Sequence, residues 1–171
     1  NERGAGIGTG MYHNREIDEN TNGKIYIDNI GKLNVNTILG AGIGTGSTSK
    51  ENMDIEIKNT NLDINSYHGS GIGTGDDAMK QVDTNPYINI KLDNVKGKVE
   101  SINGAAIGTG YASKSEKPFD LSIKNSDLEV ESYWGAGIGG GRMYFKDIED
   151  DKYEILDTNS GNILIDGGKI N

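Results

Sequence analysis

Asp18, Asn20 and Asn22, followed by Gly23, stand at alternate positions, as in the opening of a calcium-binding loop. Oxygen ligands spaced by two around a glycine bend suit a hard cation. Asn29 stands where a helix-flanked loop of that kind would supply a bidentate glutamate, so calcium is possible but not required. Asp157, Asn159 and Gly161 are a weaker echo, and Asn/Asp-rich turns produce such strings by chance. His13 and His68 lie far apart without metal-ligand spacing, and the chain has no cysteine. Trp134 and His68, with Tyr67 and Tyr133 beside them, are the candidate ligand-binding residues, because aromatic rings stack on the apolar faces of sugars and anchor protein contacts. The plainer role for Trp134 is to cover a corner or pack under a loop. Stacking can bring carboxylates together, for instance Glu100 and Glu131 on adjacent rungs, but a sugar-cleaving pair needs one member of raised pKa, and nothing in the sequence singles these two out. The Gly-x-Gly-x-x-Gly string at 135–140 lacks the strand and helix context that a dinucleotide site needs.

These residues hang on a repeat. The phrase Gly-Ala-Gly-Ile-Gly-Thr-Gly at 4–10 recurs with small changes at 40–46, 69–75, 104–110 and 135–141. Between phrases a short alternating piece recurs as Ile25-x-Ile27, Ile55-x-Ile57, Ile90-x-Leu92, Leu121-x-Ile123 and Ile163-x-Ile165, each followed two residues later by Asn or Gly. A second alternating piece follows at Leu33-x-Val35, Leu62-x-Ile64, Gly97-x-Val99 and Leu128-x-Val130. The segments 55–75, 90–110 and 121–141 are each 21 residues long and align without a gap. Three short strands per unit, repeated, predict an all-β, right-handed parallel β-helix of about five rungs of 21–22 residues, with handedness taken from the general bias of parallel connections. Length variation is confined to 11–24, 47–54, 76–89, 111–120 and 142–162, which places the loop insertions at one corner.

Stacking turns sequence positions into columns about 4.8 Å apart. Asn29, Asn59, Asn94, Asn125 and Gly167 read as a left-handed turn ladder. Asp28, Lys58, Asp93, Lys124 and Asp166 alternate in sign and read as vertical ion pairs. The column Ile38, Tyr67, Ile102 and Tyr133 is expected to be buried, and its neighbour Leu39, His68, Asn103 and Trp134 to face outward. The phrase isoleucines are expected inward, leaving a nearly bare glycine face. That face either permits tight bends and flat stacking or serves as a docking surface. Tyr12, Tyr87, Tyr111, Tyr144, Phe145 and Tyr153 form a second set of loop aromatics.

A formal net charge of −9 with only three arginines argues against nucleic acid and anionic membrane as partners, since both need a positive field. No apolar run is long enough for a membrane span. The chain reads as a single domain over residues 1–171. It starts at Asn1 and stops inside what should be another repeat, so it is expected to be a piece of a longer protein with flanking domains.

The run from Ile55 to Gly75, and Gly-Ala-Gly-Ile-Gly-Gly-Gly at 135–141, resemble the glycine-rich repeats of large cell-surface proteins of Gram-positive bacteria. The resemblance covers nearly the whole chain and implies a β-helical module, secreted or wall-attached, with no general assigned chemistry. The longer, charged insertions depart from that pattern. The expected function is a non-catalytic adhesion module presenting loops or a flat face to a glycan or host protein. A polysaccharide-processing enzyme and a pure spacer are the alternatives.

Overall fold

The structure is a computed structural model that describes residues 2–10, 22–76, 87–112, 119–142, 145–146, 153–154 and 161–171. Along the chain the strands are β1 (Ile7–Gly8), β2 (Asn22–Asp28), β3 (Leu33–Thr37), β4 (Ile43–Gly44), β5 (Asn52–Lys58), β6 (Asn61–Ser66), β7 (Ile72–Gly73) and β8 (Ile88–Asp93). They continue as β9 (Lys96–Ser101), β10 (Ile107–Gly108), β11 (Phe119–Ser132), β12 (Ile138–Gly139), β13 (Phe145–Lys146), β14 (Tyr153–Glu154) and β15 (Gly161–Ile170). All pairings are parallel except that of β13 with β14. The chain is therefore a parallel β-solenoid, as the repeat predicts. Among the described residues β1 and β15 each supply only part of a circuit, so the closed circuits seen there number fewer than the five expected. Among the described residues no helix is long and apolar enough to cross a membrane.

The register follows the sequence repeat residue for residue. Ile25 lies on Ile55, Ile55 on Ile90, Ile90 on Leu121 and Leu121 on Ile163. The inward residues of the two longer faces, such as Ile57, Leu62, Ile64, Leu92, Ile123 and Leu128, are almost wholly buried and form one continuous core with Ile43, Ile72 and Ile107 of the phrases. Each fully buried aliphatic side chain of this kind contributes about 1.5–3 kcal/mol of transfer free energy. On β15 the equivalent Ile163 and Ile165 are about half exposed, because no strand stacks beyond them among the described residues.

The turn ladder is as expected. Asn29, Asn59, Asn94 and Asn125 all have φ between 48° and 57°, and Gly167 has φ 73°. The Asn94 amide donates to Asn59 Oδ1 at 2.8 Å. The charged column beside it keeps its register but not its expected pairing. Asp28 and Asp93 accept from the amides of Asn59 and Asn125 at 2.9 and 3.0 Å, while Lys58 pairs with Glu56 of its own strand at 2.6 Å. A carboxylate one position before the turn meets the next rung's short amide more readily than the end of a long lysine. Hydrogen bonding from Asn59, with a further bond from Tyr26, holds the Asp28 carboxyl below its ordinary pKa.

Each glycine phrase folds into a narrow tongue. The second residue's N–H donates to the sixth residue's carbonyl at 2.8 to 3.0 Å, in all five copies, from Ala5 to Thr9 through Ala136 to Gly140. The isoleucine at the tip enters the core, and in the inner rungs the whole phrase is buried. The glycine-paved outer face expected from alternation is therefore absent in those rungs. The reason is close stacking. Gly44, Gly73 and Gly108 have φ between 137° and 140°, and a Cβ on any of them would overlap the carbonyl oxygen of the next rung's equivalent glycine. Thr9, Thr45, Thr74 and Thr109 complete the tongue. Their hydroxyl oxygens accept from the last glycine N–H of the following rung at 2.7 to 3.1 Å.

Candidate binding strip

The mouth of each tongue forms the surface of interest. One residue enters the phrase (Leu39, His68, Asn103, Trp134) and one leaves it (Ser47, Asp76, Tyr111, Arg142). The leaving residue's N–H donates to the entering residue's carbonyl one rung back: Asp76 to Leu39 at 2.7 Å, Tyr111 to His68 at 2.9 Å, Arg142 to Asn103 at 3.0 Å. Entering residues also bond along the stack, with His68 donating to the Ile38 carbonyl, Asn103 to Tyr67 and Trp134 to Ile102. The corner backbone is thus held as regularly as a strand, and its side chains keep fixed relative positions.

Ile38, Tyr67, Ile102 and Tyr133, expected to be buried, instead point outward, with Tyr67 48% and Tyr133 76% exposed. Alternation within the strand explains this correction. Thr37, Ser66, Ser101 and Ser132, one position earlier, occupy the inward place, and the tongue leaves room only for small hydroxyls there. Ser101 and Ser132 donate to the phrase carbonyls of Gly69 and Gly104 at 2.9 and 2.8 Å. In the neighbouring column Trp134 is exposed, Leu39 and His68 are half-buried, and Asn103 is buried rather than outward. The Asn103 amide turns in because it faces the Tyr67 carbonyl and His68 Nδ1, each at 3.4 Å.

The structure brings the four sequence-chosen residues into one strip. Tyr67 and His68 meet edge-on with centroids 4.7 Å apart, and His68 meets the Tyr111 ring at 5.5 Å. Asn103 joins that group to Arg142, whose guanidinium lies over the Trp134 ring at 4.6 Å. Trp134 in turn meets Tyr133 edge-on at 5.0 Å. Trp134 therefore does not lie hidden at its corner; it is 56% exposed and backed by a cation. Sequence reasoning did not connect Tyr111 and Arg142 to the strip. Both follow a phrase directly, but only its closure as a tongue, which the glycine string alone does not reveal, brings them back beside its entrance.

A second group stands next to it on the same outward face. Lys98 bridges Glu100, Glu129 and Glu131 at 2.7, 3.1 and 3.1 Å. Lys98 holds the Glu131 carboxyl below its ordinary pKa, the opposite of what a general acid in sugar cleavage requires. The Lys98 ammonium is correspondingly pushed up, chiefly by Glu100. Of the possible calcium ligands, Asp18 and Asn20 lie outside the described residues, as do His13, Asp157 and Asn159. Asn22 accepts from the Asn52 amide at 3.0 Å in an inter-rung ladder. Among the described residues no group of three or more His, Asp or Glu is arranged to hold a metal ion. Tyr87, one of the loop aromatics, is engaged structurally: its hydroxyl donates to Asp120 at 2.7 Å, which pushes the tyrosine pKa up to about 12 and the Asp120 carboxyl down. Comparison of the chain with protein-family models, with curated proteins and with solved structures gives no match in any of the three.

Proposed function

We propose that this domain is a non-catalytic adhesion module, displayed outside the cell or attached to the wall, that offers its mouth strip to a glycan or host protein. The observation that carries the reading is the continuity of exposed Tyr67, Tyr133 and Trp134 with His68, Tyr111 and Arg142 along a rigid corner. A contiguous exposed apolar patch marks an interaction site more often than isolated exposed residues do, and amphipathic rings lose little entropy on binding. The described residues that open the insertions, Ser47, Asp76, Tyr111 and Arg142, stand at these mouths. The resemblance to Gram-positive surface repeats supports the location. The acidic balance and the lowered Glu131 carboxyl favour binding over nucleic-acid contact or sugar cleavage.

The test is a broad glycan and host-protein binding screen on the 171-residue chain, run with calcium and with chelator. A saturable ligand lost on Trp134→Ala supports the reading, and dependence on calcium would bring Asp18 and Asn20 into it. Cleavage of a bound polymer contradicts it. No binding in either condition leaves a structural spacer as the better description.

A further inference from the structure

The exposed aromatic column has a charged neighbour that narrows its ligand. Glu100 and Glu131, near the ends of β9 and β11, precede Ile102 and Tyr133 by two residues, so they share the outward face at a separation of about 6.7 Å along the chain. With Asn65 these residues line a groove of about 670 Å³. Three carboxylates share the single ammonium of Lys98, which leaves a local charge of −2 in a chain whose net charge is already −9. An anionic ligand seated on Tyr67 and Tyr133 would be repelled. A neutral one could offer the glutamates hydroxyl donors but no charge to balance them, and hydrogen bonds between two ionised groups are the stronger kind. A ligand with an apolar ring face and a cation at the ring's edge satisfies both columns at once.

Resting on the glycan reading above, we infer that the strip binds a polymer of amino sugars with free ammonium groups, its rings on Tyr67 and Tyr133, away from the Arg142 guanidinium over Trp134, and its charges toward Glu100 and Glu131. Tyr67 and Tyr133 stand two rungs apart, about 9.6 Å. A stiff chain presenting a ring and an ammonium at every unit can address such a repeating surface without ordering long side chains. A lysine-rich peptide would have to immobilise each of its stems to do so.

The experiment is calorimetric titration of the whole chain with three probes: a glucosamine hexamer, its fully N-acetylated counterpart of the same linkage, and a lysine hexapeptide. The pH is set so that the sugar amines are protonated. The glucosamine hexamer should bind at least about tenfold more tightly than either of the others. That advantage should fall away in Glu100→Gln/Glu131→Gln and at high salt, whereas Tyr67→Ala/Tyr133→Ala should weaken the glucosamine hexamer itself. All these positions are exposed or half-buried, and an unchanged circular dichroism spectrum verifies folding. Equal or tighter binding of the acetylated hexamer overturns the inference while leaving the glycan reading in place. A lysine peptide that binds as tightly makes the partner a basic protein segment and overturns it too. Failure of both hexamers also overturns it, and the glycan reading is then judged separately by whether the screen finds a Trp134-dependent sugar.

Discussion

The tongues and their mouths are covalently adjacent yet obey different rules. Inside a tongue, Gly73 is boxed between Gly44 and Gly108, Thr74 must accept from Gly110, and Ile72 must fill the core. Five near-copies of one phrase are the consequence, since every rung meets a neighbour that imposes the same demands. One residue before or after the phrase, Leu39, His68, Asn103 and Trp134 differ completely, as do Ser47, Asp76, Tyr111 and Arg142. Their backbones are bonded just as regularly, but their side chains face outward or pack locally. Repetition therefore marks where the stack dictates the residue, and variation beside it marks where a surface can be specialised.

Substitution at the two regions should separate these roles. The largest effect is expected at Gly73→Ala, where strain at positive φ and overlap with the Gly108 carbonyl together should cost about 4 kcal/mol in urea denaturation. Gly140→Ala provides the contrast. Its Cβ would meet open space and its φ is ordinary, so a change within about 0.5 kcal/mol is expected. A large loss there would mean that the phrases as a whole are intolerant rather than only their stacked glycines.

Thr45→Val should come next, at about 1–3 kcal/mol, because it leaves the buried N–H of Gly75 without its acceptor. At the turn ladder, Asn94→Ala should cost about 1 kcal/mol, since alanine resists the left-handed conformation, and Asn94→Gly distinctly less. The strip should show the smallest effect on stability. Trp134→Ala is expected to shift the unfolding free energy by no more than about 0.5 kcal/mol.

Acid should act on the outward faces. Asp28, Asp120 and Glu131 all have folded pKa values below their ordinary ones. Their stabilisation is therefore present above about pH 4 and lost as the pH falls through the depressed values. The melting temperature of Lys98→Met, in which Glu131 loses the principal cause of its shift, should fall less steeply over that acid range than that of the parent chain. An identical slope would mean that this cluster does not contribute to acid sensitivity.

Much of the fold could be read from the chain because each rung repeats its constraints: strand order, register and the asparagine ladder all follow from aligning 21-residue segments. The orientation of Tyr67 and Tyr133 did not follow from residue type, because hydrophobicity suggests burial while strand parity from Val35 and Thr37 requires exposure. Parity governs, since the tongue already fills the interior behind Ser66 and Ser101. The tongue itself was hidden. Its closure depends on the bond from the second to the sixth residue of the phrase, and the glycine string taken alone is equally compatible with a flat strand. Without that closure nothing in the sequence places Tyr111 beside His68 or Arg142 beside Asn103.

The most direct test compares stability and binding in one variant, Tyr67→Ala/Trp134→Ala, against the parent chain, using urea denaturation and the ligand found in the binding screen. A denaturation midpoint close to the parent's together with loss of saturable binding is the expected result. A midpoint lowered as far as in Gly73→Ala, or binding that persists undiminished, would contradict the division between a structural tongue and a binding mouth.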